Sequence, residues 1–554
     1  MKSFRLLAAS ALASLALVLA ACVSPGGGSG SIASAPPRLV VFIAVDGLPH
    51  RQFVDYREQL APDGLRRLLD RGAWFAQAHY GHAHTATAPG HATMLTGAYP
   101  HRTGIIGNEW RDPNTGAREY CTGDAAHKYI GHKTEALDGT SPKNLLAETV
   151  GDVLKRVNAR SKVIAISGKD RGAILPGGKT GVAYMYMDDS GQFASSTYYM
   201  QSHPAWVDAF HARKPADRFF GMEWKPLLAD SAYARSVPDE QKWMAKGGKL
   251  PKKMGEGLPA AGGRLYKDII ASPFSDQLTL EFARAAIAGE SLGADDAPDI
   301  LAVSLSGHDY VNHSWSAESR LSHDHVLHLD RALEAFFRDL DSSVGKDRYL
   351  VVFTSDHGFT PAPEHSVTVG RDAGRHNLTA TVNKASAALE KKYGPGKWIV
   401  ARSASTVLFN RKLAAEKGVD LKPVVEEARR ILLAEPAIAA VYTLNELTSG
   451  ARKGEPFVEA MRKAAHSQRS GELHVTLKPW WIISSGSGSA ATHGAPHEHD
   501  THVPLAFYGP AWVKPGRFDA RVEIVDIAPT LAQVLGVPSP AQSEGRVLPI
   551  VQGR

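Results

Sequence analysis

Three apolar runs, each followed within a few residues by an aspartate, do most to limit what this chain can fold into. Leu39 to Val45 leads into Asp46-Gly47, Ile300 to Leu305 leads towards Asp309, and Leu350 to Phe353 leads towards Asp356. A strand with one wet face alternates apolar and polar residues. A strand buried on both faces reads as a continuous apolar run, the mark of a parallel sheet covered by helices. Val163 to Ile166 and Leu505 to Tyr508 read the same way. Helical patterns lie between the runs. Leu65, Leu68 and Leu69 mark one, Ile524 to Leu535 another, and Leu329, Leu333, Phe336, Phe337 and Leu340 a third with period near 3.6. The expected class is α/β: a large, doubly wound, mostly parallel sheet with helices on both faces, plus insertions. Ligands of such sheets sit beyond the carboxyl ends of the strands, so the three aspartates can gather at one edge.

Two regions interrupt the alternation within an expected catalytic domain spanning 39–554. Residues near 188–299 hold many Gly, Pro and Lys together with Trp206, Trp224 and Trp243, and read as an insertion or cap. Residues near 363–480 hold a helical pattern, Val424 to Leu433, and an apolar run, Ile438 to Tyr442, as a small α+β subdomain would.

The amino terminus reads as an export signal. Lys2 and Arg5 precede the apolar stretch Leu6 to Ala21, which closes on Leu19-Ala20-Ala21-Cys22. Residues 1–22 have the form of a lipoprotein signal, with Cys22 as the lipidated first residue of the mature chain and its membrane anchor; an ordinary cleavable signal is the alternative. Residues 23–38, rich in Gly, Ser and Pro, then form a flexible tether. The expected location is the periplasm or cell envelope. Cys121 has no partner once Cys22 is lipidated or removed, so stability must come from the core and from metals. A net charge of +6 with no basic run gives nucleic-acid binding no support.

The 24 histidines are unevenly placed: seventeen fall in the windows 79–101, 308–328, 357–376 and 493–502, among the aspartates that follow the apolar runs. Asp309 and His313 stand four apart, on one face of a helical turn. Asp356-His357 follows a strand, where consecutive residues can both reach a metal. Asp46 occupies the same place after the first run, and for these aspartates helix capping is the bland alternative. His493 lies in Thr492-His493-Gly494, with His497, His499 and His502 as competing ligands. Thr87-Ala-Pro-Gly-His91 reads as a helix start with Pro89 in its first turn. A hydroxyl there meets the backbone N–H groups that favour an anion, and a bound metal would convert it to an alkoxide. From chemistry alone Thr85, Thr87 and Thr93 are all candidates, and a plain N-cap is the alternative.

Taken in order, V-D-G, T-A-P-G-H-A-T, G-I-I-G-N-E-W, G-K-D-R-G-A, D-Y-V-N-H, T-S-D-H-G and T-H-G resemble the alkaline phosphatase superfamily. Within it they resemble the secreted bacterial phosphate-irrepressible branch, whose nucleophile is a threonine. The resemblance runs from about Leu39 to Leu535 and implies an exported hydrolase of small phosphate monoesters with two zinc ions per chain. Asp309, His313 and His493 match the ligands of one zinc. Asp46, Asp356 and His357 match those of the other, which also meets Thr87. The pattern T-x-P-x-H selects Thr87 as nucleophile, passing through a phosphothreonine. Asn108 matches the donor to a phosphoryl oxygen. Lys169 and Arg171 match the pair that binds the third non-bridging oxygen, which a monoester has and a diester lacks. Outside this setting Lys169-Asp170-Arg171 would read as a solvated charged turn. The related diesterase and nucleotide pyrophosphatase branch shares metals and threonine but lacks the Lys-x-Arg element. The sulfatase branch uses Cys or Ser before Pro and Arg, where this chain has Thr87 and His91. A diesterase on the same scaffold and a non-catalytic metal-binding lipoprotein are the competing readings.

Overall fold

The computed structural model describes residues 35–403, 405–484 and 488–552. The export signal, Cys22 and most of the tether lie outside the described residues.

Nine strands form the central sheet: β1 (Leu39–Val45), β2 (Ala73–Phe75), β3 (Val163–Ser167), β4 (Val182–Met187), β5 (Gln192–Ala194), β6 (Asp299–Leu305), β7 (Tyr349–Thr354), β8 (Leu505–Tyr508) and β9 (Gly516–Phe518). Their spatial order is β9-β2-β8-β7-β1-β6-β3-β4-β5. β7, β1, β6, β3 and β4 are mutually parallel. The apolar runs have the cause read from the sequence. In β1, Leu39, Val41, Ile43 and Val45 enter the core on one face while Val40, Phe42 and Ala44 enter the core on the other.

The run Leu505–Tyr508 departs from expectation. β8 is buried, but it pairs antiparallel with both β7 and β2. Burial on two faces makes a strand apolar whichever way it points, so composition carried no sign of its direction.

Helices α1 (Thr87–Thr96), α2 (Asp170–Gly177), α3 (Pro273–Glu290), α4 (Gly307–Trp315) and α5 (Arg320–Leu340) position the site or back it. Within 188–299, α3 supplies Phe282 and the stretch before it supplies Trp224, both fully buried in the same core as Leu39 and Val41. Within 363–480, strands Ile399–Ser403, Thr406–Phe409, Leu473–Leu477 and Ile438–Thr443 make a separate four-stranded antiparallel sheet. Helices Leu378–Tyr393 and Leu421–Leu433 join it around a core that includes Leu389, Trp398 and Val424. Asn377 and Asp420 cap those helices, accepting from Ala380 N–H and Lys422 N–H.

Candidate active site

Four parallel strands deliver the site to one sheet edge. Asp46 follows β1, Lys169 follows β3, Asp309 lies on the first turn of α4 after β6, and Asp356-His357 follow β7. The turn after β1 is tight: Gly47 has φ +71°, and its N–H donates to Asp356 Oδ1 at 3.0 Å. On α1, a Cβ at Gly90 would stand 2.2 Å from the Asp356 carbonyl oxygen. Glycine at that position lets the threonine helix lie directly against the Asp356-His357 loop. The start of α4 is fixed from behind, where Gly307 N–H donates to the buried Asp276 Oδ1 at 3.0 Å. His308 Nε2 also donates to Gln52 Oε1 at 2.8 Å.

The ring orientations of three histidines follow from their hydrogen bonds. His313 Nδ1 donates to Ala491 O (3.1 Å), His357 Nδ1 to Gly358 O (2.9 Å) and His493 Nδ1 to Thr85 O (2.7 Å). A neutral imidazole with a protonated Nδ1 offers a bare Nε2, the form that binds a metal. His313 Nε2 and His493 Nε2 stand 3.4 and 3.6 Å from Asp309 Oδ1. His357 Nε2 stands 3.5 Å from both Asp46 Oδ1 and Asp356 Oδ2. Ligand atoms of Asp309, His313 and His493 fall within 4.8 Å of one another, as do those of Asp46, Asp309 and His357. Asp309 thus stands between the two sets.

These groups are buried and short of partners. Asp46 Oδ1 and Oδ2, Asp309 Oδ1, Asp356 Oδ2 and His357 Nε2 make no hydrogen bond, although Lys169 Nζ forms ion pairs at 2.7 Å with Asp46 Oδ2 and 2.6 Å with Asp309 Oδ2. Unpaired anionic atoms in a buried place are costly unless a cation is meant to meet them. Three carboxylates and three imidazoles are the donor set of zinc, so the residues fit such ions. The electrostatics show the strain of holding the charges alone. Burial and the neighbouring Asp356 push Asp46 up to about 7. Burial would raise Asp309 too, but Lys169 and His313 outweigh it and hold it well below the usual range. At Asp356, His357 and His91 likewise outweigh burial. Burial and His357, stacked at 3.4 Å between ring centroids, push His493 down to about 3.

A further group, His203, Asp208 and His211, also brings ligand atoms together. It lies along the edge strand β5. His211 Nε2 accepts Phe193 N–H (3.3 Å) and His203 Nε2 accepts Ser195 N–H (3.1 Å). The acceptor nitrogen of each neutral ring is therefore already used to cover backbone donors of the sheet edge.

The threonine segment separates its candidates. Ala86 is the N-cap of α1, so Thr87 is the first helical residue and neither Thr85 nor Thr87 is the cap. Thr85 Oγ1 donates to Ala495 O at 3.0 Å, and Thr93 is buried one turn further along. Asn108 Oδ1 accepts the Ala88 N–H at 2.9 Å, which turns its NH₂ group away from the helix. His91 bridges Thr87 O (2.9 Å), Asp356 Oδ2 (3.3 Å) and Ser304 Oγ (2.8 Å). Lys169 is buried, which removes the solvated-turn reading. Arg171 Nη1 donates to Tyr120 OH at 3.1 Å, and that hydroxyl donates to Asp170 Oδ1 at 2.8 Å. Cys121 is buried and its thiol is pushed up to about 12 by that burial, so it is no nucleophile.

Four contributors escaped the sequence reading. Tyr120 aims Arg171. The Tyr310 ring lies 4.8 Å from Lys169 Nζ. Phe359 packs on the rings of His313, His357 and His493. Asp500 accepts Gly494 N–H (2.9 Å) and Ala495 N–H (2.8 Å), fixing the loop that carries His493. Among these only Tyr310, next to Asp309, was flagged by its neighbour. His497, His499 and His502 have other partners: Leu477 O, Asp500 Oδ1 and Ala76 O.

A model of the type I phosphodiesterase / nucleotide pyrophosphatase family matches residues 40–502. Alkaline phosphatase PafA of Elizabethkingia meningoseptica is 32% identical over 532 residues, covering 94% of this chain and 95% of its own. The crystal structure of wild-type PafA matches with a TM-score of 0.85 at 31% identity, over 93% of this chain and 98% of that one. The chain belongs to this family and, with it, to the alkaline phosphatase superfamily. The superfamily fold accounts for the sheet edge that gathers Asp46, Asp309 and Asp356. A Myroides odoratus protein named calcium-transporting ATPase is 33% identical over 91% of this chain and 92% of its own. Among the described residues here, no helix is long and apolar enough to cross a membrane.

Proposed function

We propose that this enzyme is an exported phosphatase that hydrolyses small phosphate monoesters at a two-zinc site, through a phosphothreonine on Thr87. The observation that carries the reading is the pair Lys169 and Arg171. Lys169 is buried against Asp46 and Asp309, and Arg171 is aimed by Tyr120 beside it. Two fixed cations suit a phosphoryl group with three charged oxygens better than one with two. The alkaline phosphatase name of the relative supports the same reading.

Thr87 Oγ attacks phosphorus, and the bond to the leaving oxygen breaks on the opposite side. The proton that Thr87 Oγ gives up passes, by way of solvent, to the departing alcohol. Water then attacks phosphothreonine, releasing phosphate and restoring Thr87. Asn108 NH₂, Lys169 and Arg171 hold the non-bridging oxygens throughout. Zinc held by Asp309, His313 and His493, and by Asp46, Asp356 and His357, would neutralise charge on the leaving and attacking oxygens. Export and lipid anchoring through Cys22 rest on the signal in residues 1–22. Acid quench during monoester turnover should trap phosphate on Thr87, and Thr87→Ala should be inactive. Label on Thr85 or Thr93, or an active variant, would overturn the assignment.

A phosphodiesterase on the same scaffold is the second reading, favoured by the description of the matched family. Turnover of matched monoesters and diesters by one preparation separates the two.

A further inference from the structure

A cavity of about 320 Å³ runs from His493 and Asn108 towards the inserted subdomain. Its walls change character along the way. At the inner end stand the imidazole of His493 and the amide of Asn108. Further out the lining is mixed but mainly apolar: Glu109, Ser405 and Thr476 stand among Ile106, Val475, Leu477, Trp481 and Ile483, the last four from the subdomain and the strand that follows it. Arg402 also lines the cavity, and its Nε donates to Thr379 Oγ1 at 3.2 Å.

In-line transfer places the leaving oxygen opposite Thr87. In the proposed function that oxygen faces the ligand set of Asp309, His313 and His493. His493 is part of the cavity wall, so the group bonded to the leaving oxygen extends into this space. A sugar or polyol would find partners at Glu109, Ser405 and Thr476 but would set its other hydroxyls against Val475, Leu477 and Ile483, where they lose water without gaining partners. A short alkyl group would not reach those side chains. A flat aromatic group would bury its faces against them, and a guanidinium can lie over an aromatic face.

We propose that this cavity is the leaving-group site and that it favours phosphate monoesters of flat aromatic alcohols. The proposal rests on the monoesterase reading. Trp481 also supports the fold, since its ring covers Gly374 and its Nε1 donates to Asp372 Oδ1. Two variants are therefore needed, Trp481→Ala and the milder Ile483→Ser.

The experiment measures kcat/KM for 2-naphthyl phosphate and for ethyl phosphate in wild type and both variants. Comparing each substrate with itself across enzymes removes its intrinsic reactivity. The expected result is a loss on the order of tenfold for the naphthyl ester in each variant, with ethyl phosphate changed less than about twofold. Equal losses on both esters, or no loss on either, would overturn the proposal. If wild type turns over neither monoester but does hydrolyse diesters, the monoesterase reading fails by itself. The same comparison is then read on dinaphthyl and diethyl phosphate, where equal behaviour sinks the cavity assignment.

Discussion

The edge of the central sheet and the inserted subdomain face each other across one cavity, yet they are built on opposite terms. The subdomain is more conventional: its two longest helices carry side-chain caps and its largest core cluster is wholly apolar. The sheet edge leaves Asp46, Asp309, Asp356 and His357 buried with unpaired atoms. Buried polar groups are normally satisfied. Unpaired atoms occur elsewhere too, His474 of the subdomain among them; the sheet edge differs in gathering carboxylate oxygens within 3.5 Å of an imidazole nitrogen.

The contrast can be broken by removing what the unpaired atoms await. Chelation should abolish turnover, and zinc should restore it. Elemental analysis should find two transition-metal ions per active chain. Full activity in metal-free enzyme would end the distinction between the two regions.

Tyr120→Phe tests a smaller part of the same edge. It deletes the hydroxyl between Arg171 and Asp170. The expected loss in monoester kcat/KM is about tenfold, the worth of one charge-assisted hydrogen bond, with little change for a diester. A uniform loss on both would make Tyr120 a packing residue only.

In the subdomain the corresponding change should act on stability. Leu389 is fully buried in its separate core, so Leu389→Ala should cost about 2–5 kcal/mol. Ethyl phosphate turnover per folded molecule should barely change. A collapse of that turnover would show that the subdomain takes part in the chemistry.

The last test concerns Asp276, behind the site, and reads stability against pH rather than turnover. Burial raises its carboxyl to about 7 in the folded chain. Between the ordinary carboxylate value and that point the unfolded chain is ionised and the folded chain is not, so stability falls as pH rises through this window. Asp276→Asn keeps an acceptor for Gly307 N–H and removes the titration. Its Tm should gain on wild type between pH 4.5 and pH 8, by at most about 4 kcal/mol of stability. A gap that does not change with pH would mean that Asp276 titrates normally.

What the sequence disclosed, and what it hid, divides by distance along the chain. Asp46, Asp309 and Asp356 were legible because each follows the strand that places it, and Asp309 with His313 because one helical turn joins them. The sheet was legible for the same reason, since burial on two faces writes itself into β1 residue by residue. The direction of β8 was hidden because apolar composition has no polarity. Tyr120 was hidden because its partner Arg171 lies 51 positions away and only the fold brings it near; Asp500 meets Gly494 and Ala495 within six positions and Phe359 stands two after His357, but neither residue type announces its contact. Among Thr85, Thr87 and Thr93 the pattern T-x-P-x-H selects Thr87, and the fold adds that Thr87 opens α1 with Ala86 as its cap.

The central claim is that Lys169 and Arg171 exist for the third oxygen of a monoester. The most direct test replaces both with Ala and compares kcat/KM for an aryl monoester and the matching diester. Each lost charge-assisted bond contributes on the order of 1.5–3 kcal/mol, and exclusion of water from the site raises its worth to developing charge. The account predicts a monoester loss of several powers of ten and a much smaller diester loss. Equal losses on the two substrates would contradict it and make the diesterase reading the better one.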